Sequence, residues 1–371
     1  MQSFLRFVSF GAVIALAACS ASSSDSGNPG GGDDTGTPGT DSGGDDGGGD
    51  TSTPTDTGGG GDTGTPGGDT GVPTGDTGTP PTDTGGGGDV GPSTGGIKTV
   101  FIILMENHNW SAIKGSSSAP YINGTLLPAS SSCSAYFNPP GIHPSEPNYL
   151  WLEAGDNFGI TNDNSPSTNH QAAKDHLVSQ LEGKGISWKS YQEDMTAGTC
   201  PLKNSGLYAP KHNPMVYFDD VTDTNLATSA HCIAHVRPYT ELAGDLGSGK
   251  IGRYNFITPN LCNDMHGAAG CPSDSILTGD TWLSKEVPGI LASAAYKDHG
   301  ALFIVWDEAT SGDGPIGMIV LSPQAKGGGY VSSVHFTHGS TLRTMEEIFG
   351  VPLLRDAAAQ TSLKDLFTIY P

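Results

Sequence analysis

Two pairs of polar residues directly follow apolar runs in this chain. An apolar run of buried-strand type begins at Thr99 and ends in Glu106 and Asn107. A second run ends in the adjacent carboxylates Asp307 and Glu308. Open α/β sheets place metal-binding and catalytic groups at the carboxyl ends of their strands, and adjacent carboxylates repel each other unless a cation or a basic group lies between them. Both pairs are therefore candidates for metal chemistry, and the plain alternative is that each strand ends in a polar turn.

A serine and a group of loop residues are further candidates for chemistry. Ser145 precedes a segment of helical character, and the free N–H groups at a helix N-terminus favour anions. Ser145 is therefore a candidate nucleophile, although serine at such a position is ordinarily an N-cap. The segment 255–266 passes from a strand into a loop and ends with Asp264 and His266.

The elements that must position these residues alternate between strands and helices. The patterns predict strands at Lys98–Leu104, Tyr254–Thr258, Ala301–Trp306 and Ile316–Leu321, and helices at Asp280–Ala295 and Thr341–Phe349. The last helix is expected to begin near Ser340, with Glu346 and Glu347 on a largely polar side. Such alternation predicts an α/β fold, in which a mostly parallel central sheet is covered on both faces as a three-layer sandwich. Ligands should bind at the carboxyl edge of that sheet.

The N-terminal residues predict export. Arg6 gives a positive n-region, residues 7–15 are apolar, and Leu16-Ala17-Ala18 precedes Cys19. This pattern is typical of a lipoprotein signal peptide over residues 1–18, with lipid attached to Cys19. The apolar stretch is too short to span a bilayer as a stable helix. We expect a membrane-anchored lipoprotein in the outer membrane, at the cell surface or in the periplasm; a plain secretory signal is the alternative.

Residues 19–96 predict a disordered tether. After Cys19 they consist almost entirely of Gly, Asp, Thr, Pro and Ser, which offer too little apolar surface to offset the entropy of ordering. The tether holds 13 of the 39 acidic residues, so that residues 97–371 keep 26 acidic residues against 16 basic ones. This balance argues against a nucleic-acid partner held by a basic face.

The remaining residues, 97–371, are long enough for one large catalytic domain. Export makes disulfides favourable, and proximity in sequence pairs Cys262 with Cys271 and Cys200 with Cys232. Cys133 is then left as a free thiol.

Six ordered blocks in residues 97–371 resemble the bacterial and fungal phosphoesterase family, which contains acid phosphatases and bacterial phospholipases C. The blocks are MENH at 105–108, HPSEPNYL at 143–150, KHNP at 211–214, PNLCNDMH at 259–266, WDE at 306–308, and His338 ahead of LRTME at 342–346. The family is itself similar to the alkaline phosphatase superfamily, so the resemblance implies an alkaline phosphatase-like fold.

The resemblance also implies roles for individual residues. The implied metal ligands are Glu106, Asn107, Asp307 and Glu308, completed by the hydroxyl of Ser145. The implied active-site residues are His212 and His266, which hold phosphoryl oxygens or protonate the leaving group, and Asn148, which positions a non-bridging oxygen. Asp264 and His338 lie in similar motifs and are expected behind the ligands. Such oxygen donors favour a divalent cation, either Ca²⁺, Mg²⁺ or Mn²⁺, with Zn²⁺ also admitted.

The function implied by the resemblance is metal-dependent hydrolysis of phosphate monoesters through a phosphoserine intermediate. One alternative is a phospholipase C that acts on phospholipid diesters, and another is a non-catalytic ligand-binding domain on a tether. The expected partners are a small phosphorylated substrate or a phospholipid head group, together with the membrane that holds the lipid anchor. Two residues depart from the family pattern, because Glu146 follows the nucleophile and Asp156 follows Gly155. A carboxylate that points into the pocket would repel an anionic substrate.

Overall fold

A computed structural model describes residues 95–172 and 175–371. The predicted signal peptide, the lipidation site at Cys19 and the tether up to residue 94 lie outside the described residues. In the described part, no helix combines the length and the apolar content needed to cross a membrane.

The described residues contain ten strands and eleven α-helices. The strands are β1 (Thr99–Met105), β2 (Ser131–Cys133), β3 (Tyr136–Phe137), β4 (Trp188–Gln192), β5 (Val236–Pro238), β6 (Tyr254–Thr258), β7 (Gly300–Trp306), β8 (Met318–Leu321), β9 (Tyr330–Ser332) and β10 (Phe336–Thr337). The α-helices are α1 (Trp110–Ile113), α2 (Leu127–Ala129), α3 (Ser145–Ala154), α4 (Pro166–Asn169), α5 (Leu177–Gly183), α6 (Asp219–Thr222), α7 (Ala230–His235), α8 (Leu242–Ser248), α9 (Ser275–Ala292), α10 (Ala294–Lys297) and α11 (His338–Phe349). A π-helical turn covers Ile122–Leu126, and 3₁₀ turns cover Pro210–His212, Pro214–Tyr217, Tyr239–Glu241, Arg355–Ala359 and Leu363–Leu366.

Eight of these strands form one sheet in the order β5-β4-β6-β1-β7-β8-β2-β9, and β3 pairs with β10 separately. β8 is antiparallel to both of its neighbours, and the other pairings in the sheet are parallel. Every residue of β1 and β7 is buried, so both faces of the sheet are covered at its centre. The predicted α/β class with a mostly parallel central sheet is confirmed.

Element boundaries differ from the prediction where local contacts intervene. β8 begins at Met318 rather than Ile316, because the amide of Ile316 donates to the carbonyl of Tyr136 at 2.8 Å and Gly317 then turns the chain at a φ of +78°. α9 begins five residues before the predicted position, since the carboxylate of Asp274 caps it by accepting from the amide of Leu277 at 2.9 Å.

The predicted polar side of the last helix is wrong at Glu346. This residue is fully buried in α11, and its Oε1 accepts from the amide of Leu354 at 2.7 Å. The chain after the helix folds back over Glu346, which a helical pattern alone does not indicate. Glu347 stays partly exposed and binds Arg343 at 2.8 Å.

The cysteines of the described residues form two disulfides, Cys200–Cys232 and Cys262–Cys271. Cys133 is a free, buried thiol. Burial raises its pKa to about 11, so the thiolate is scarce at neutral pH.

Candidate active site

The ends of three neighbouring strands bring carboxylates together at one edge of the sheet. Met105 at the end of β1 lies in register with Trp306 at the end of β7, so Glu106 and Asp307 leave the sheet side by side. The amide of Asp307 donates to the carbonyl of Met105 at 2.9 Å. On the other side of β1, the loop after β6 brings Asp264 close, and its carbonyl accepts from the amide of Glu106 at 2.7 Å. All three carboxylates are fully buried.

The hydroxyl of Ser145 reaches this cluster from the start of α3. Pro144 is the N-cap of the helix and Ser145 is its first residue, so the alternative in which Ser145 serves as the cap is not what the structure has. Its Oγ donates to Glu106 Oε2 at 3.0 Å. One turn later, the hydroxyl of Tyr149 donates to Glu106 Oε1 at 2.5 Å. Both oxygens of Glu106 are thereby held from one face of α3.

His212 lies between two of the carboxylates. Its Nε2 is 3.3 Å from Glu106 Oε1, and its Nδ1 is 3.2 Å from Asp264 Oδ2. The ring stacks on Tyr149 with 5.2 Å between ring centres. The exposed ring of His266 lies 5.6 Å from that of His212. One donor atom each of Glu106, His212 and His266 lies within 4.8 Å of the other two, so the two histidines are themselves candidate metal ligands.

Asn107 and Glu308 extend the cluster of polar side chains that follows the ends of β1 and β7. The amide of Asn107 donates to Asp307 Oδ1 at 2.9 Å, and its side-chain Nδ2 donates to Glu308 Oε1 at 3.1 Å. Asn107 has a φ of +33°, a strained conformation of the kind found at functional sites. Glu308 Oε2 lies 2.5 Å from His143 Nδ1 and accepts from Asn148 Nδ2 at 3.2 Å. The structure thus joins all four predicted carboxylate and amide ligands in one network.

Several oxygens of this network are suited to binding a cation. Asn107 Oδ1, Asp307 Oδ2 and Asp264 Oδ2 are buried; the first two have no hydrogen-bond partner among the described residues, and the third lies 3.2 Å from His212 Nδ1. A buried oxygen without a partner is costly unless something binds it. The first two of these atoms belong to the predicted metal ligands, so the donor set suits a hard divalent cation.

The electrostatics of the cluster lead to the same conclusion. Burial, followed by the nearby charges of Asp307 and Asp264, holds the pKa of Glu106 well above its usual range. Burial and the neighbouring charge of Glu308 raise the pKa of Asp307 to about 7. Burial also raises the pKa values of Asp264 and Glu308. A divalent cation would offset this repulsion and keep the carboxylates ionised.

Lys211 is a cationic residue beside His266. Its Nζ donates to Asp163 Oδ2 at 2.9 Å and lies 3.3 Å from His266 Nε2. Burial, with added repulsion from Lys211, lowers the pKa of His212 well below its usual value, so this imidazole is neutral. The pKa of His266 is also lowered, chiefly by burial.

His338 lies behind the carboxylates. Its Nε2 donates to the carbonyl of Asp307 at 2.5 Å, and its Nδ1 is 3.0 Å from the hydroxyl of Tyr136. Burial lowers its pKa to about 4, so the ring is neutral. His338 therefore holds the end of β7 without contributing charge to the site.

Glu146 and Asp156, the two residues that depart from the family pattern, each accept hydrogen bonds from neighbouring groups. The buried carboxyl of Glu146 accepts from Asn169 Nδ2 at 2.9 and 3.1 Å, and burial raises its pKa to about 8. It therefore carries little negative charge at neutral pH. The carboxylate of Asp156 accepts from the amide of Phe158 at 2.9 Å. The expected repulsion of an anionic substrate is therefore weakened at Glu146.

Four residues near the site were not among the predicted site residues. Tyr149, His143 and Lys211 lie within the sequence blocks, and the spacing of four residues between Ser145 and Tyr149 was a usable signal, because it places both on one helix face. Asp163 lies in a polar loop without a pattern. It accepts from the amide of Glu146 at 3.0 Å, so a carboxylate already occupies part of the α3 N-terminus that was expected to attract anions.

Several known proteins are similar to this chain. Residues 125–352 match the sequence model described as the Phosphoesterase family. The chain is 30% identical over 269 residues to a phosphatidylinositol-3-phosphatase of Mycobacterium tuberculosis, a match that covers 72% of this chain and 82% of that protein. It is 28% identical to the phosphate-repressible acid phosphatase of Penicillium chrysogenum over 57% of this chain and 50% of the fungal protein, and so spans half of that relative. A solved protein of the alkaline phosphatase superfamily from Vibrio parahaemolyticus is similar with a TM-score of 0.46 and 9% identity, over 73% of this chain and 72% of that one.

Proposed function

Because this chain belongs to the phosphoesterase family and is thus a hydrolase acting on phosphoric esters, we propose that it cleaves phosphate monoesters through a metal-dependent reaction at Ser145. The observation that carries this proposal is the position of the Ser145 hydroxyl. It is buried at a helix N-terminus and donates at 3.0 Å to Glu106, inside a cluster of carboxylates that needs a cation. Serine, carboxylates and neutral histidines in one site suit phosphoryl transfer.

The residues that would hold the cation are Glu106, Asn107, Asp307 and Glu308, with Ser145 Oγ beside them. The unpartnered oxygens of Asn107 and Asp307 support this assignment. Carboxylate and amide oxygens favour Ca²⁺, Mg²⁺ or Mn²⁺, and the closeness of His212 to Glu106 is also compatible with Zn²⁺. When bound, the cation supplies a lowered pKa for the serine hydroxyl and electrostatic attraction for the phosphate.

The chain's own groups account for the proton movements. Ser145 Oγ attacks phosphorus, a Ser–O–P bond forms, and the bond from phosphorus to the leaving oxygen breaks. The serine proton moves toward Glu106 Oε2, which already accepts its hydrogen bond. In its protonated form, His266, the exposed histidine of the pair, is placed to give a proton to the leaving oxygen, and its lowered pKa makes that form more frequent at acid pH. Water then hydrolyses the phosphoserine, which restores the hydroxyl and releases phosphate.

A cavity of about 550 Å³ beside the site offers space for the substrate. Its lining includes Lys203, Lys211 and His266, which suit an anionic ligand. The curated relatives are named as phosphatases, which supports monoesters over phospholipid diesters. A phosphorylated lipid head group and a small soluble phosphate ester are both included in the proposed substrate class.

The test is hydrolysis of p-nitrophenyl phosphate by the full chain after chelation, and again after each divalent cation is restored. We expect metal-restored turnover that is lost in Ser145→Ala. A matched control, Ser284→Ala, changes a partly exposed serine of α9 and should leave turnover unchanged. Cleavage of p-nitrophenyl phosphorylcholine without cleavage of the monoester would instead support a phospholipase C. Absence of turnover of both substrates with every metal would contradict the proposal.

We also propose export and lipid anchoring through Cys19. The two disulfides support an oxidising compartment, where such bonds persist. The tether would place the catalytic domain at a distance from the membrane surface.

A further inference from the structure

A second cluster of side chains suited to metal binding lies near the amino ends of the strands, at the end of the sheet opposite to the candidate active site. His231 and His235 are one turn apart on α7, and Glu182 lies in α5. One nitrogen or oxygen atom from each of the three lies within 4.8 Å of the other two. Trp188, which binds Glu182, is the first residue of β4 and lies in register with the first residue of β6. The candidate active site, in contrast, follows the last residues of β1 and β7.

We propose that Glu182, His231 and His235 form a second metal site, separate from the candidate active site and suited to Zn²⁺ or a similar transition-metal ion. Two imidazoles and one carboxylate are a common zinc donor set, and imidazole also suits Cu²⁺ and Ni²⁺. The side chain of His231 is 28% exposed, that of His235 is 30% exposed and that of Glu182 is 35% exposed. An ion from solvent can therefore reach them, and a water can complete the coordination.

The backbone fixes the tautomer of both histidines. His231 Nδ1 lies 2.9 Å from the carbonyl of Asp220, and His235 Nδ1 lies 3.0 Å from the carbonyl of His231. A carbonyl oxygen can only accept, so each Nδ1 carries the hydrogen. Each Nε2 then offers its lone pair when the ring is neutral, and both Nε2 atoms face Glu182 Oε1, at 2.6 and 3.9 Å. An Nδ1–H that donates to a carbonyl is how proteins orient histidine ligands.

Neighbouring groups hold the three side chains in place before any metal binds. The indole of Trp188 donates to Glu182 Oε1 at 2.7 Å, and its ring stacks on His235 with 4.6 Å between ring centres. Cys232, which lies between the two histidines in α7, is joined to Cys200 by a disulfide. A preformed arrangement lowers the entropy cost of binding. The plain alternative is a surface ion pair of His231 and Glu182, which would not need His235.

The experiment measures Zn²⁺ bound per full chain by equilibrium dialysis after chelation. Glu182→Gln and His235→Ala remove one ligand each, and His335→Ala is the matched control because His335 is exposed and stacks on Phe137 away from the cluster. We expect each ligand variant to bind one Zn²⁺ fewer than the wild type and the control. Turnover of p-nitrophenyl phosphate in all three should stay at the wild-type level, which also shows that they fold.

Trp188 gives a second readout that does not depend on counting sites. Ni²⁺ bound beside the stacked ring should quench its fluorescence in the wild type and in His335→Ala. This part of the Ni²⁺-dependent fluorescence quenching should be lost in His235→Ala and in Trp188→Phe. Equal Zn²⁺ content and equal quenching in the wild type and the ligand variants would overturn the proposal and leave only the ion pair.

Discussion

At the scale of single residues, Glu106 depends on its neighbours because its carboxylate is buried among other acidic groups. It is fully buried beside two other carboxylates and is bound by the hydroxyls of Ser145 and Tyr149. Removing the Tyr149 hydroxyl leaves one carboxylate oxygen without its donor. Residues that orient metal ligands usually affect metal affinity more than the chemistry itself.

We therefore expect Tyr149→Phe to weaken metal affinity by about 10- to 100-fold while turnover recovers at saturating metal. The measurement is a metal titration of p-nitrophenyl phosphate hydrolysis. Tyr330→Phe is the control, since that hydroxyl binds Asp365 at 2.9 Å from the edge strand β9. An unchanged metal titration for Tyr149→Phe would show that Glu106 does not depend on this hydrogen bond, or does not bind the metal.

The sequence indicated the candidate ligands, but it did not indicate the residues that hold them in position. Glu106, Asn107, Asp307 and Glu308 stand out because each pair ends an apolar run, and parallel strands deliver such ends to one edge. His143 and Asp163, in contrast, do not follow an apolar run. Their roles depend on loops that fold against α3 from distant parts of the chain, and a periodic pattern cannot indicate where a loop returns.

At the scale of elements, a buried histidine joins α3, α5 and α6. His176, the N-cap of α5, is fully buried; its Nδ1 is 2.9 Å from Glu153 of α3 and its Nε2 is 3.1 Å from Asp220 of α6. Burial alone lowers the pKa of His176, but hydrogen bonds to Asp220 and Glu153 raise it to about 9. The imidazolium is therefore the form that stabilises the fold.

This pKa predicts a pH-dependent stability. Because the folded value lies above the unfolded value of 6.5, the contribution is complete below about pH 6.5 and is lost as the pH rises through about 9. The difference in unfolding free energy between wild type and His176→Gln should shrink by about 3 kcal/mol from pH 6 to about pH 10. Urea unfolding at each pH measures it, with His335→Gln as the control. A difference that is constant with pH would contradict a charged His176.

Long apolar strands were predictable and short strands were not. β6 has the predicted bounds, β1 is shifted by one residue and β7 begins one residue earlier, because largely apolar runs mark strands buried on both faces. β2, β3, β5, β9 and β10 contain two or three residues each. Such segments are strands only because a neighbour pairs with them, so their own sequence carries little signal.

At the scale of the whole molecule, a compact domain follows a long acidic segment. The sequence predicts that residues 1–96 export and anchor the chain and take no part in catalysis. We expect Cys19→Ser to move the protein from the membrane fraction to the soluble fraction while p-nitrophenyl phosphate turnover per molecule is unchanged. Fractionation of cells that express each form tests this, with Cys133→Ser as the control. A variant that stays in the membrane fraction would contradict anchoring through Cys19.

The proposed function depends on phosphorylation of Ser145 during metal-dependent turnover. The most direct measurement is an acid quench of the full chain during hydrolysis of p-nitrophenyl phosphate, followed by mass spectrometry of the peptide that contains Ser145. We expect a phosphate on Ser145 in the metal-loaded enzyme and none after chelation. Continued turnover with an unmodified Ser145, together with full activity of Ser145→Ala, would contradict it.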